Sequence, residues 1–140
     1  MDLITKIAAP AGRVLLSLIF IMAGAQKITG YAGTVGYMES LGVPGILLPL
    51  VIILELGGGL MLLAGFQARI VAFLLGGFSV ISGLLFHFIP AQGLEGMEQQ
   101  LQMIMFMKNL AIAGGMGMIV HHGAGAFALD NRASYRAVSA

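Results

Sequence analysis

Four long apolar stretches, separated by shorter segments that hold most of the polar residues, set the pattern of this chain. A transmembrane helix requires about 20 mostly apolar residues, each rising ~1.5 Å along the helix axis. The stretches that meet this requirement are residues 8–26, 45–65, 70–89 and 102–120. The hydrophobic pattern therefore predicts four membrane-spanning helices.

Helix-breaking residues set the limits of the second and third spans. Pro44 precedes the second span, Gly65 ends it shortly before Arg69, and Pro90 closes the third span. Because the hinge from Gly65 to Arg69 is so short, these two spans are predicted to be antiparallel neighbours. We interpret residues 1–140 as a single all-α domain, an integral membrane bundle of four transmembrane helices.

The composition supports a lipid environment and excludes several other classes of protein. Hydrophobic residues make up 59% of the chain and charged residues only 9%, whereas a soluble domain has about a quarter of its residues charged. No cluster of basic residues is present, so a nucleic-acid partner is not expected. The chain also has no cysteine, which excludes disulfides, thiolate metal sites and thiol relays.

The positive charges outside the spans predict the orientation. They lie on one side of the predicted bundle: Lys6, Arg69, Arg132 and Arg136. The loop 91–100 carries Glu95 and Glu98 but no Lys or Arg. By the positive-inside rule, both termini are predicted to be cytoplasmic, and residues 28–44 then face outward.

Residues 28–44 are predicted to contain a short helix at the membrane surface. Thr34 is the expected N-cap of a helix running to Leu41. Val35, Met38 and Leu41 would turn an apolar face toward the membrane. Tyr31 and Tyr37, in the same segment, suit an interfacial aromatic belt.

An alternative interpretation concerns the N-terminus. Lys6 and Arg13, the apolar residues 14–22 and the small residues 23–25 together fit a signal peptide with a cleavage site. Cleavage would leave three spans and an N-terminus on the outer side. We favour four spans, because the first span carries a polar stripe that has a role only if the helix stays in the bundle.

Each predicted span has one stripe that combines small residues with a titratable side chain. Ionisable groups within a membrane are costly, so these stripes are expected to face the bundle interior. They comprise Arg13, Ser17, Phe20, Gly24 and Lys27 in span one; Glu55, Gly58 and Gly59 in span two; Gly76, Ser79, Gly83 and His87 in span three; and Lys108, Ala111, Gly115 and His122 in span four.

Four of these titratable residues are predicted to converge in the outer half of the bundle. Glu55 lies near the middle of its span, Lys108 about one turn further out, and His87 and Lys27 near the outer ends. The two lysines exceed the single carboxylate in number. Such a pocket suits a ligand with a carbonyl group or a developing oxyanion.

Structural interpretations of the same residues stay open. Glu55 and Lys108 would form a buried ion pair that joins spans two and four. Lys27 would extend its ammonium to the lipid headgroups. Arg13, about 21 Å from Lys27 along the first span, would anchor the cytoplasmic interface.

Metal and haem sites are not expected. The alternating methionines at positions 103, 105 and 107 suggest copper(I), but only two of them share a helix face, and methionine packs well in apolar surroundings. Two haem-ligating histidines would need matching depths. His87 is predicted near the outer surface, whereas His121 and His122 are near the inner surface.

A series of motifs, in this order, resembles the DoxX family over nearly the whole chain. The motifs are Gly12-Arg13-Val14-Leu15-Leu16 through Ala23-Gly24-Ala25-Gln26-Lys27, Tyr31-Ala32-Gly33-Thr34 to Gly42-Val43-Pro44, Glu55-Leu56-Gly57-Gly58-Gly59 to Gly65, Met107-Lys108-Asn109-Leu110, and Gly123-Ala124-Gly125-Ala126 to Asp130. The resemblance implies a small four-span protein of the bacterial inner membrane. The family is named for a subunit of a thiosulfate:quinone oxidoreductase.

The resemblance also implies site residues. Its recurrent polar positions are matched by Arg13, Lys27, Glu55, Lys108 and Asn109, and its close relatives also match His87. We expect a quinone-linked oxidoreductase component that uses a redox partner subunit. Glu55 and His87 would exchange protons, and Lys108 would hydrogen-bond a carbonyl group. Lys27, Asn109 and Arg13 would bind the ligand.

Two other functions remain open at this stage. In the first, the protein is a binding or transport module whose pocket holds a small solute. A homodimer is then expected, because four spans are few for a transporter. Alternatively, the protein is a non-catalytic membrane anchor for a redox or stress-response partner.

Overall fold

The computed structural model describes residues 2–132, and five helices are its main elements. They are α1 (Leu3–Thr29), α2 (Tyr31–Ser40), α3 (Gly45–Ala64), α4 (Ala68–Ala91) and α5 (Gly96–His122). All except α2 are long and apolar enough to cross a membrane, and each contains one of the predicted spans almost entirely. The described residues form no β-strand. The prediction of an all-α bundle with four membrane-spanning helices is confirmed.

The predicted inward stripes are confirmed on three of the four spans. On α1 the buried residues are Arg13, Ser17, Phe20 and Gly24, all members of the predicted stripe. The stripes of α3 and α4 are buried at Glu55, Gly58, Gly59, Gly76, Ser79 and Gly83. Since α1 packs mainly against α3, the first span is an integral part of the bundle.

The prediction for α5 is wrong: the buried face of this helix is shifted by about one residue from the predicted stripe. Lys108, Ala111 and His122 are exposed, whereas Met116 and Ile119 are buried. The reason lies in the glycines of α4. A Cβ added at Gly76 would lie 3.1 Å from the Met116 Cβ, so the small residues of α4 make room for large residues of α5. A small-residue face on one helix is enough for close packing.

The short helix α2 also differs from its prediction. It begins at Tyr31, three residues before the expected N-cap, and the hydroxyl of Thr34 donates a hydrogen bond to the Gly30 carbonyl at 3.0 Å. Met38 is only 4% exposed. The apolar face of α2 therefore packs onto the bundle instead of facing the membrane, and Gly42, with φ +77°, permits the turn that follows α2.

The chain following α5 closes one end of the bundle. The guanidinium of Arg13 donates hydrogen bonds to the carbonyls of Ala124 and Phe127. The Asp130 carboxylate accepts the backbone N–H groups of Gln67 and Ala68 at 2.8 and 2.9 Å. Residues 123–131, which we call the tail segment, thus join α1 to the α3–α4 hinge.

Cytoplasmic termini remain a prediction, and Arg136 lies outside the described residues. Gln92, in the α4–α5 loop, and Lys6 are both exposed. Because the chain has no cysteine, single variants Gln92→Cys and Lys6→Cys provide unique labelling sites. We expect a membrane-impermeant maleimide to label Gln92→Cys, but not Lys6→Cys, in cells with a permeabilised outer membrane. Labelling of Lys6→Cys alone would show that the orientation is the reverse of the predicted one.

Candidate functional site

A cavity of about 400 Å³ lies among all five helices, in the half of the bundle that contains α2. Its wall includes five of the six candidate residues: Lys27, Glu55, His87, Lys108 and Asn109. The volume lies within the range of roughly 300–1,000 Å³ that is typical of small-molecule sites. The structure therefore places these five side chains around one common space.

The carboxylate of Glu55 pairs with Lys27. The distance from Lys27 Nζ to Glu55 Oε2 is 2.7 Å, and the Glu55 residue is 5% exposed. The structural interpretation in which Glu55 pairs with Lys108 is therefore wrong. The cause is the close approach of α1 and α3 at Gly24 and Leu56, which places Lys27 beside Glu55. Consequently, the Lys27 ammonium is directed at the carboxylate instead of the lipid headgroups.

His87 is held by a residue of α5 that the sequence analysis did not identify. Its Nδ1 lies 2.7 Å from Oε1 of Gln102. Since a carbonyl oxygen only accepts hydrogen bonds, this contact requires the hydrogen on Nδ1. In the neutral ring, Nε2 is then free to accept a proton. Gln102 lies at the predicted start of span four, and no motif distinguished it from an ordinary boundary residue.

Lys108 and Asn109 reach the cavity from adjacent positions on α5. Lys108 is exposed, and its Nζ lies 3.4 Å from the sulfur of Met105, a weak acceptor. Within residues 2–132, Lys108 has no carboxylate in salt-bridge contact. Asn109 packs against Gly83, where an added Cβ would lie 3.0 Å from the Asn109 Cβ. The site therefore combines an uncompensated cation with a neutral amide.

Both predicted proton-exchanging residues lie in π-helical turns. Residues Ile53–Gly57 form such a turn within α3 and contain Glu55. Residues Leu84–Phe88 form another within α4 and contain His87. Single π turns interrupt α-helices frequently at functional sites. The hydrophobic periodicity did not indicate either turn.

Tyr37 lines the cavity, although it was not among the predicted site residues. Its hydroxyl donates a hydrogen bond to the Phe86 carbonyl at 3.3 Å, and the two rings stack with centroids 5.9 Å apart. The sequence pattern instead predicts Tyr37 in an interfacial aromatic belt. Its position in the cavity wall depends on the inward folding of α2.

Arg13 lies apart from the other candidate residues and does not line the cavity. It is 4% exposed, and its hydrogen bonds go to the tail segment. The structure therefore gives Arg13 a role in holding the closed end of the bundle together.

The described residues do not bring a metal-ligand cluster together. Among residues 2–132, no three histidine, aspartate or glutamate side chains lie close enough to hold a metal ion.

The four membrane-capable helices that surround this cavity define an integral membrane protein. The chain belongs to the DoxX family, whose model matches residues 8–88. It is 48% identical to inner membrane protein YqjF of Escherichia coli (strain K12) over 118 residues, which cover 84% of this chain and 85% of that protein. The family and the name of this relative identify an inner-membrane protein.

Two further comparisons extend this result. Inner membrane protein YphA of the same organism is 34% identical over 122 residues, or 86% of each chain. A Bacillus subtilis (strain 168) protein named "Putative oxidoreductase CatD" is 34% identical over 62 residues, which cover 44% of this chain and 46% of that protein. No solved structure matches the chain significantly.

Proposed function

We propose that the cavity binds a quinone or a small phenolic compound, and that the protein is a quinone-linked component of a membrane oxidoreductase. The observation that carries this proposal is the convergence of Lys27, Glu55, His87, Lys108 and Asn109 on one cavity. The name of the Bacillus subtilis relative supports a redox function. A bound quinone supplies its own redox-active ring, and a partner subunit supplies the electrons.

Lys108 and Asn109 are the proposed carbonyl-binding pair. Both side chains offer N–H donors at the cavity wall, and Lys108 has no carboxylate to neutralise it among the described residues. A charge-assisted hydrogen bond contributes about 1.5–3 kcal/mol. It strengthens as negative charge develops on the acceptor oxygen, so the pair would favour the reduced form of the ligand.

His87 and Glu55 are the proposed proton-exchanging groups. With Gln102 holding the hydrogen on Nδ1, His87 exchanges its proton at Nε2. Glu55 exchanges a proton at its carboxylate, which lies 2.7 Å from the Lys27 ammonium.

A structural function competes with this proposal and has its own observation. The Lys27–Glu55 pair joins α1 to α3 beside the tight Gly24–Leu56 contact, as expected of a residue pair that fixes helix register. Substitution of either partner would therefore disturb folding as well as binding. Lys108 is the better probe, because it is exposed and makes no ion pair with a described residue.

We expect Lys108→Met to weaken quinone binding at least tenfold with little change in thermal stability. The chain has no tryptophan, so Phe78→Trp, in the cavity wall, provides a single fluorescent reporter. Menadione, added to the purified protein, should quench this reporter. The tenfold loss corresponds to ~1.4 kcal/mol, the lower end for a charged hydrogen bond.

Lys6→Met is the matched control, since Lys6 is exposed and outside the cavity. Equal menadione affinities for Lys108→Met and Lys6→Met would contradict the proposed role of Lys108. If menadione does not bind the parent protein, the proposed function fails and the structural function is favoured. Menadione flux that is faster across vesicles containing the protein than across protein-free vesicles would favour the transport module.

A further inference from the structure

The walls of the cavity are not equally covered. None of the cavity residues on α1 is exposed. In contrast, Leu47 on α3 is 43% exposed, and Ile81 and Leu85 on α4 are 59% and 39% exposed. Residues that line a cavity and are also exposed form its rim. The rim therefore includes Tyr37 on α2 and Lys108 on α5, and α3 and α4 contribute its apolar part.

The α4 part of this apolar rim lies at the depth of the lipid tails. Ile81 lies 13 residues into α4, which has 24 residues. At ~1.5 Å per residue, Ile81 is about 20 Å from one end of the helix and about 15 Å from the other. Because the hydrocarbon core of a bilayer is ~30 Å thick, lipid tails surround this position. An apolar rim at this depth is suited to contact with hydrocarbon.

The helix α2 contacts the start of α3 and hydrogen-bonds to α4 beside this rim. Tyr37 and Met38 of α2 line the cavity. Within the described residues, the Tyr37 hydroxyl makes the only side-chain hydrogen bond from α2 to α4, and this bond is exposed. An exposed hydrogen bond is easily broken, because water can replace either partner. Gly30 and Gly42, the latter with φ +77°, join α2 to the neighbouring helices.

We propose that the ligand enters the cavity sideways from the hydrocarbon layer, between α3 and α4, and that α2 is the gate. The contact between Tyr37 and Phe86 is the latch that holds the gate closed. This proposal rests on the proposed function and specifies its ligand class: a membrane-dissolved, mainly apolar molecule with a small polar head. The head reaches Lys108 and Asn109, and the apolar part follows through the rim.

A reversible cross-link between the gate and α4 tests this route. The double variant Tyr37→Cys and Phe86→Cys is made in the Phe78→Trp reporter protein and placed in lipid vesicles. A short bis-methanethiosulfonate joins the two thiols, which are unique because the chain has no cysteine. Decylubiquinone, which its alkyl tail retains in the bilayer, is the probe. Each single-cysteine variant, treated with the same reagent, controls for modification without a cross-link.

We expect the cross-link to slow decylubiquinone quenching at least tenfold, and reductant to restore the faster rate in the same sample. Equal rates before and after reduction, with full quenching, would overturn the gate but leave the proposed function intact. Absence of quenching in the reduced sample, together with absence of menadione binding to the parent protein, would overturn both proposals. Menadione binding without decylubiquinone quenching would overturn lateral entry alone.

Discussion

Replacing Gly24 with alanine should lower the free energy of unfolding by about 1–3 kcal/mol, the usual cost of overpacking. The added Cβ would lie 2.8 Å from both the Cβ and the backbone nitrogen of Leu56. A backbone atom cannot move aside as a flexible side chain does, so α1 and α3 must separate. The Lys27–Glu55 pair lies directly beside this contact, and menadione binding should weaken as well.

Gly12→Ala is the matched control for this prediction. It makes the same chemical change in the same helix, but no heavy atom lies within 4 Å of the added Cβ. Since alanine favours helices over glycine by about 0.8–1 kcal/mol, this variant should be at least as stable as the parent. Unfolding of the purified proteins in detergent measures both. Equal stabilities for Gly24→Ala and Gly12→Ala would show that the α1–α3 contact is looser than described.

Replacing Arg13 with methionine should destabilise the protein by about 2–4 kcal/mol. The substitution leaves the carbonyls of Ala124 and Phe127 without their donors, and an unsatisfied buried polar group costs about 1–3 kcal/mol. Methionine retains much of the side-chain volume, so the loss reports mainly on the hydrogen bonds. Thermal unfolding in detergent is the measurement.

Two comparisons separate the role of Arg13 in the fold from a role in ligand binding. Arg13→Lys keeps the charge but cannot bond two carbonyls in the fixed geometry of a guanidinium, so its stability should be intermediate. Because Arg13 does not line the cavity, menadione affinity of the folded Arg13→Lys variant should match that of the parent. A tenfold loss of affinity at unchanged stability would instead assign Arg13 to the ligand.

The sequence predicted helix faces well where polar and small residues alternated along a stripe. On α1, Arg13, Ser17 and Gly24 could not favourably face lipid, so their spacing indicated the buried side. On α5 the same reasoning failed, because Met116 is buried and Met118 is 61% exposed. In a membrane an apolar side chain is stable against lipid or protein, so its type does not reveal its direction.

Five of the six predicted site residues line one cavity, but the contacts that these residues make were not predicted. Charge and depth were enough to group Lys27, Glu55, His87 and Lys108. The partner of Glu55 depends on how closely α1 approaches α3, which the glycine at position 24 sets in three dimensions. Gln102 was missed because its role is to bond His87 across the α4–α5 loop, a contact between two helices that helical periodicity does not describe.

The bonds between Arg13 and the tail segment impose an order on synthesis. The Ala124 carbonyl follows Arg13 by 111 residues. At about 5–20 residues per second, the ribosome needs roughly 6–22 seconds to add them. During this interval the Arg13 guanidinium in the first helix lacks its final partners, and it donates hydrogen bonds to water or lipid phosphate instead. Closure of this end of the bundle is therefore among the last steps of assembly, because it requires that the fourth span has already been synthesised.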